Sequence, residues 1–329
     1  MSTPAVTVLM TVYNARSYLD AGIRSILGQT FRDLEFLIID DGSTDGGQEI
    51  LKSWAAKDSR IRLILNPANQ GQTVCLNQGI AEARAPWIAR QDADDLPHPQ
   101  RLELQMAELH RRPELVVLGT NGWLITEDGA FCGLINAPCG EESVRWFALY
   151  DNPFIHASVC FRRDAALAAG RYDPHFRITQ DYDLWLKLLK IGPGDNLPQR
   201  LISYRVVQSS LSHQKAEATA AEAMEANRRA FALWGLESCA TRSNLALISQ
   251  LRDGFAPGKR SEFWALHHEL DKARPVAAGE RAEAKCLLHW KAAGTLGASP
   301  AMAQEMTASL RAQPDLFFSL LRDRMLGPR

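Results

Sequence analysis

Blocks of apolar residues with two different periods alternate along the first half of the chain. Val6 to Val12 is a continuous, β-branched apolar run, the composition of a strand buried on both faces. Asn14 follows as a candidate helix cap, and Leu19, Ile23, Ile26 and Leu27 then recur at helical spacing up to Gly28. Glu35 to Asp40 reads as a second strand, with Asp41-Gly42-Ser43 as a turn and a helix carrying Ile50, Leu51 and Trp54 after it. Ile61 to Leu65 and Trp87 to Ala89 supply two further strands, separated by a helix over Val74 to Ala83. A helix with Leu102, Met106 and Leu109 on one face precedes another strand, Leu115 to Leu118. This alternation predicts an α/β fold with a doubly wound, mostly parallel sheet. From about Gln214 the strand signals stop, and Ala, Glu, Arg and Leu dominate between breakers near Pro257, Pro275, Pro300 and Pro314. Two domains are therefore expected: residues 1–213, which hold the sheet, and 214–329, an all-helical appendage.

Composition narrows the class. A hydrophobic fraction of 46%, a charged fraction of 23% and a net charge of −1 describe an ordinary globular chain, with no electrostatic case for nucleic-acid binding. No apolar run approaches the ~18–20 residues needed to span a bilayer. The opening residues show neither a basic n-region nor a long apolar h-region, so a cytoplasmic location is expected. The six cysteines form no Cys-x-x-Cys pair and have no histidine at zinc-ligand spacing, so they read as reduced, mostly buried thiols. Trp54, Trp87 and Trp185 each lie in an apolar periodic face and read as core.

The chemistry is concentrated in Asp92-Ala93-Asp94, directly after the apolar run Trp87-Ile88-Ala89. Two carboxylates one residue apart at a strand end can share a divalent cation, or divide between a cation and a sugar hydroxyl. Hard cations such as Mg²⁺ and Mn²⁺ bridge carboxylates to substrate phosphates. A solvated turn is the alternative, but Asp40-Asp41-Gly42 forms a second acidic strand end in the same alternating pattern. In parallel sheets ligands bind beyond the carboxyl ends of the strands, where Tyr13 and both acidic pairs fall.

Several motifs then occur in a familiar order. Thr11-Val12-Tyr13-Asn14, Ser25 to Thr30, Asp40 to Asp45, Asn69-Gln70-Gly71, Asp92 to Asp95, Pro99 to Leu102 and Gln180 to Trp185 together resemble a family 2 glycosyltransferase over roughly residues 5 to 213. The resemblance implies a GT-A fold and transfer of a sugar from a nucleotide diphosphate donor, with inversion at the anomeric carbon. It also implies roles. Thr11 and Tyr13 would line the base pocket, and Asp41, with Asp40 and Asn69 beside it, would help bind the nucleotide. Asp92 would reach the ribose, and Asp94 would hold Mn²⁺ or Mg²⁺ against the diphosphate. His213, in Ser209 to His213, occupies the place of a family metal ligand, with a surface loop histidine as the alternative.

Asp181 is the expected general base, since an inverting transfer needs one carboxylate to take the acceptor's proton. Asp183 lies two residues on, and positions i and i+2 of a helix do not share a face, so at most one of the two points into the cleft. It is expected to cap or begin the helix over Leu184 to Ile191. His156, where family members carry a histidine before a strand, would contact the donor phosphates or the acceptor, with a structural residue beside the strand as the alternative, and Arg205 is expected in structural pairing. The implied partners are a nucleotide sugar, a UDP-sugar first among them, and a glycan or lipid-linked acceptor in surface polysaccharide or glycolipid synthesis.

Rival readings fail on particular residues. A nucleotidyltransferase or a Rossmann dehydrogenase needs glycines after the first strand, and Thr11 to Arg16 has none. A silent nucleotide-sugar-binding or scaffold subunit of the same fold would be expected to lose Asp94 or Asp181, and both are present. In the tail, Phe317, Leu320 and Leu321 form a helical apolar face near arginines, which suits packing onto protein or a peripheral contact at the inner face of the membrane.

Overall fold

In the computed structural model, which describes residues 3–207, 216–253, 259–273 and 307–309, the first strand lies inside the sheet, with a neighbour on each side. This strand, β1 (Val6–Val12), pairs in parallel with β2 (Leu34–Asp40) on one side and β4 (Trp87–Asp92) on the other, and β3 (Ile61–Leu65) extends the sheet beyond β2. Continuous apolar runs form these strands because α1 (Arg16–Leu27), α2 (Gly47–Lys57), α3 (Gln72–Glu82) and α4 (Arg101–Arg111) supply the covering layers. Val8, Met10, Phe36 and Ile38 pack in one buried cluster with Leu19, Ile23, Leu51 and Leu102 of the helices.

The second half of the sheet changes direction. It contains β5 (Leu96–Pro97), β6 (Val117–Ile125), β7 (Phe131–Ile135), β8 (Cys160–Arg162) and β9 (Gly194–Arg205). Strand order is β3-β2-β1-β4-β8-β6-β9-β5, with β7 paired to β6. β8 runs antiparallel to both β4 and β6, while β6 and β9 are parallel. Of these strands only the start of β6 carries a clear sequence signal, and β6 continues to Ile125 where the apolar run stops at Leu118. Gly119 and Gly122 lie inside it because a Cβ there would fall 2.1 Å from Asn196 Oδ1 and 2.9 Å from Ile202 Cγ2.

Two compact units emerge, one comprising residues 1–135 with 154–210 and the other 136–153 with 211–329. The first holds the whole sheet, with α6 (Arg163–Ala168) and α7 (Gln180–Ile191). The second contains α5 (Glu141–Phe147), α8 (Ala216–Leu233), α9 (Arg242–Asp253) and α10 (Lys259–Ala273). Within it the Tyr150 hydroxyl lies 2.8 Å from His267 Nδ1, and the Asn227 amide donates to the Leu149 carbonyl at 3.0 Å. No described helix is long and apolar enough to cross a membrane. Pro314 to Arg324 lies outside the described residues.

Three local expectations are corrected. Asn14 does not cap α1: Ala15 stands at the cap position, and the Arg16 N–H is taken by the Asp45 carboxylate at 2.8 Å. Of the five described cysteines only Cys75 and Cys160 are buried, and Cys132, on the peripheral strand β7, is exposed. Trp185 is fully buried as expected, but Trp54 and Trp87 lie at the border of the core, with Arg24 and Arg162 guanidinium groups over their rings.

One close approach ties a helix to the acidic strand end. A Cβ on Gly22 of α1 would fall 2.7 Å from the Ala93 carbonyl oxygen. Gly22→Ala should therefore lower stability by about 1–3 kcal/mol, the usual cost of overpacking, and displace the Asp92–Asp94 turn. Urea melts together with nucleotide titration check this; an unchanged midpoint would mean that α1 yields freely.

Candidate active site

At the ends of β1 and β2 the acids serve first as clips. Asp40 is wholly buried, and its Oδ2 accepts the Ser43 N–H at 3.1 Å and the Gln48 amide at 2.8 Å. Asp41 accepts the Gln70 N–H on one oxygen and the Gly71 N–H on the other, both at 2.9 Å, so it binds the loop that follows β3. Gly42, at φ 71°, lets that loop come close: a Cβ would fall 2.7 Å from Ala68. Asn14, itself at φ 49°, receives the Thr44 N–H on its side-chain oxygen, and its own N–H goes to Ser43 Oγ. These bonds hold three strand-end loops together around Tyr13, which is 52% exposed. Thr11 is partly buried on β1, and Asn69 is exposed beside the Gln70 clip.

The second acidic end is built differently. Asp92 closes β4 opposite Thr11, and its Oδ1 lies 2.5 Å from the guanidinium of Arg90, which has no exposed surface. The Gln91 amide donates to the carbonyls of Asp92 and Asp95, fixing the turn from below. Arg205, at the end of β9, gives its backbone N–H to Asp95 Oδ1 at 2.7 Å and its Nε–H to the Asp94 carbonyl at 2.9 Å. Its remaining guanidinium hydrogens reach the carbonyls of Thr126 and Glu127 in the β6–β7 hairpin. Burial, and then the charge of Asp92, push the Asp94 carboxyl up to about 6. Burial and both neighbouring carboxylates raise Asp95 as well.

These are the features of a turn with more negative charge than the protein neutralises. Among the described residues, Asp95 Oδ2 has no hydrogen-bond partner, and no three of His, Cys, Asp or Glu stand together as a complete metal cage. A donor set of one or two carboxylates fits Mg²⁺ or Mn²⁺, which retain waters and take the remaining oxygens from substrate phosphates. His213 lies outside the described residues.

Asp181 reaches this neighbourhood through α3. Asn77 and Tyr172 exchange two hydrogen bonds, from Asn77 Nδ2 to the Tyr172 carbonyl at 2.8 Å and from the Tyr172 N–H to Asn77 Oδ1 at 3.0 Å. Thr73 donates to the Phe176 carbonyl, and Gln180 to Gln72. The chain between β8 and α7 is thus pinned against α3 before it enters the helix. Asp181 and Asp183 both lie in the first turn of α7, so Asp183 is inside the helix rather than at its cap. They face opposite ways, as i and i+2 require. Asp183 has no exposed surface and lies 2.9 Å from Lys187, while Asp181 is partly exposed. The phenol of Tyr204 is raised by burial and then by the charges of Asp95, Asp92, Asp94 and Asp181, so one ring senses the acidic turn and Asp181 together.

His156 opens a short helical turn and donates to or accepts from the Tyr172 hydroxyl through Nε2 at 3.0 Å. Its ring lies edge-on to those of Tyr172 and Trp185. Enclosure among these groups, and next the charge of Arg90, push its pKa down to about 3. It is a neutral imidazole at ordinary pH, able to hydrogen-bond but carrying no charge toward a phosphate. Arg90 and Tyr204 are the residues that sequence reasoning missed. The spacing Arg90-x-Asp92 on a strand was the available signal, because side chains two apart share a face.

Residues 7–142 match the family described as glycosyl transferase family 2. EpsE of Bacillus subtilis, whose glycosyltransferase assignment is provisional, is 36% identical over 208 residues, 62% of this chain and 74% of its own. The O-antigen biosynthesis glycosyltransferase WbnJ of Escherichia coli is 32% identical over 213 residues, 62% and 81% of the two chains. Among solved structures, the mannosyltransferase PcManGT from Pyrobaculum calidifontis in complex with GDP-Man and Mn²⁺ aligns with a TM-score of 0.54 at 17% identity, covering 99% of this chain and 82% of its own. S. aureus TarS 1–349 in complex with UDP-GlcNAc aligns at 0.57 and 13%, covering 97% and 91%. At those identities the likeness to the solved structures is one of fold, here GT-A.

His156 gives a pH-dependent outcome. Its folded pKa of about 3 lies below the ~6.5 of an unfolded histidine. Between those values the unfolded chain binds the extra proton, so the stability owed to the neutral ring is complete above pH ~6.5 and is lost as pH falls toward 3. His156→Asn should flatten this acid limb. Chemical melts of both proteins from pH 7 to 4 check it: the stability difference should shrink on acidification, and a constant difference would contradict the neutral, enclosed ring.

Proposed function

This chain belongs to glycosyl transferase family 2, and from that membership we propose that it is an inverting, metal-dependent transferase taking its sugar from a nucleotide diphosphate. The observation that carries the reading is the acidic turn Asp92–Asp95 closing β4, held by Arg90 and Arg205, together with the partly exposed Asp181 in the first turn of α7, whose charge and those of the turn both raise the Tyr204 phenol. It puts an excess of negative charge beside one partly exposed carboxylate on a different element.

The residues divide the work. Tyr13, Thr11 and Asn69, at the joined strand-end loops, offer the base an aromatic face and a polar rim, with Asp40 and Asp41 keeping those loops in register. Asp92 takes a ribose hydroxyl. Mn²⁺ or Mg²⁺, held by Asp94 and the donor's phosphates, with His213 as a further proposed ligand, would neutralise charge developing on the departing diphosphate. Asp181 accepts the proton of the acceptor hydroxyl as that oxygen bonds to the anomeric carbon from the opposite face. The glycosidic C–O bond to the diphosphate breaks with its electron pair leaving on the phosphate oxygen. His156 contributes shape and a neutral hydrogen bond, through Tyr172, at the wall of the site.

The relatives' names support an acceptor in polysaccharide assembly, WbnJ being an O-antigen biosynthesis enzyme. PcManGT was solved with GDP-Man and TarS with UDP-GlcNAc, so a nucleotide sugar is the donor class proposed here, with a UDP-sugar tested first. The reaction is assigned to residues 1–213, and 214–329 to a helical region that meets the acceptor or its membrane.

Asp181→Asn preserves shape and removes the proton acceptor. Transfer should fall by roughly 10²–10⁴ with donor binding retained. Asp183→Asn should instead cost about 1–3 kcal/mol of stability, the worth of a charged hydrogen bond at a buried site, and leave turnover of the folded enzyme largely intact. Single-turnover transfer and urea melts of both variants separate the roles; a dead Asp183→Asn beside an active Asp181→Asn would reverse them. Asp94→Ala should abolish the Mn²⁺-dependent part of nucleotide diphosphate binding in calorimetry. Unchanged turnover in that variant, with folding verified, would refute the metal assignment; wild type that binds the nucleotide sugar without transferring it would return the silent-subunit reading.

A further inference from the structure

A guanidinium with no exposed surface lies under the acidic turn. Arg90 sits on β4, between β1 on one side and the chain around Val159 on the other, where its backbone N–H meets the Val159 carbonyl at 2.8 Å. A buried cation is costly unless it is paired, and a well-packed apolar side chain would serve stability as well or better. Its one carboxylate contact is the Oδ1 of Asp92 at 2.5 Å. Its Nη groups also reach the carbonyl of Gln91, the carbonyl of Leu9 at 3.5 Å and the hydroxyl of Thr11 at 3.5 Å, while its Nε–H has no partner among the described residues.

The neighbouring arginines do something else. Arg101 donates to the carbonyls of Arg90 and Ala157, and the Arg205 guanidinium donates to those of Asp94, Thr126 and Glu127. Of these guanidinium groups, only that of Arg90 touches a side-chain carboxylate of the turn among the described residues. Because it occupies one oxygen of Asp92, the other oxygen, which has no hydrogen-bond partner among the described residues, is left for a ligand. Asp92 is 22% exposed, so that oxygen is accessible. The pair also cancels one negative charge beside Asp94, so the turn presents fewer uncompensated charges than its three acids imply.

We propose that Arg90 is the positioning residue of the donor site, fixing Asp92 to accept a ribose hydroxyl and bridging it to Thr11 across the β1–β4 pair. The proposal rests on the reading of Asp92 as the ribose ligand. It differs from a purely structural role in one respect: it predicts an effect confined to nucleotides that carry ribose hydroxyls.

The test uses the full chain with Mn²⁺ and two probes, the nucleoside diphosphate that wild type binds and its 2′,3′-dideoxy analogue. Wild type should prefer the ribose form. Arg90→Lys keeps the charge and loses the fork, and should weaken binding of the ribose form by about 10–100-fold, the worth of one charge-assisted hydrogen bond, while leaving the dideoxy form nearly unchanged. Asp92→Asn should remove the same preference, and the double variant should lose no more than Asp92→Asn alone. Equal losses for both probes, or additive losses in the double variant, overturn the proposal. Should Asp92→Asn keep the ribose preference, the ribose reading itself falls, and the role of Arg90 with it. Should Asp92→Asn lose the preference and Arg90→Lys retain it, only the assignment of Arg90 falls. If Arg90→Lys does not fold, the wild-type arginine side-chain NMR spectrum serves. One slowly exchanging guanidinium signal should shift on Asp92→Asn and on binding of the ribose form, but not of the dideoxy form; no such signal overturns the proposal.

Discussion

Three carboxylates within four residues, at the end of a strand buried on both faces, repel one another before any ligand arrives. Two unit charges about 5 Å apart interact by roughly 3 kcal/mol at an effective dielectric near 20, against a total folding stability on the order of 5–15 kcal/mol. The fold answers with groups drawn from two strands, β4 and β9. Arg90 takes Asp92, the Arg205 backbone takes Asp95, the Arg205 side chain holds the Asp94 carbonyl, and the Gln91 amide ties the turn's carbonyls. Gly22 of α1 permits the close packing that shapes the turn from the other side. Neither Asp94 nor Asp95 has a cationic side chain on its carboxylate among the described residues, and burial with the neighbouring carboxylates raises both. In the proposed function a cation would offset this charge and so couple donor binding to the metal through plain electrostatics.

The other strand ends solve a different problem, that of keeping loops in place. Asp41 spends both oxygens on backbone N–H groups from the loop after β3, and Asp40 gathers Ser43 and Gln48. Asp45 caps α1 from a distance and, through its Oδ1, receives the first N–H of α2. These acids are thus the crosslinks of the loops that would surround a nucleotide in the proposed function. Ordering those loops in advance reduces the entropy lost on binding.

Asp181 depends on packing outside its own helix. The Asn77–Tyr172 pair, with Thr73 and Gln72, fixes the approach to α7, and the fully buried Trp185 sits among Phe154, His156, Phe161 and Tyr172 beneath it. Asp183 is on the buried face of α7, where it pairs with Lys187 of the same helix, while Asp181 stays partly exposed. Two acids two residues apart then play unlike parts because a helix turns by about 100° per residue.

Local pattern by itself determined β1 to β4, α1 to α4 and the strand ends where acids collect, because continuous apolar runs and 3.6-residue periodicity are properties of short segments. The family motifs added the candidate roles of Thr11, Asp41, Asp92, Asp94 and Asp181. The strands β5, β7, β8 and β9 were not legible: β5 and β8 have two and three residues, β9 carries Pro198, Gln199 and Arg200 in its middle, and each is a strand only because of its neighbour. Nor could sequence show that Asp45 rather than Asn14 serves α1, or that Asp40 and Asp41 act as clips, since those partners lie on other loops. Arg90 looked like one more charge on a strand. Only tertiary structure decided that it is buried beside Asp92 and that Asp181 shares the neighbourhood of Tyr204 with the acidic turn. Charges act through space, over distances that chain separation does not encode.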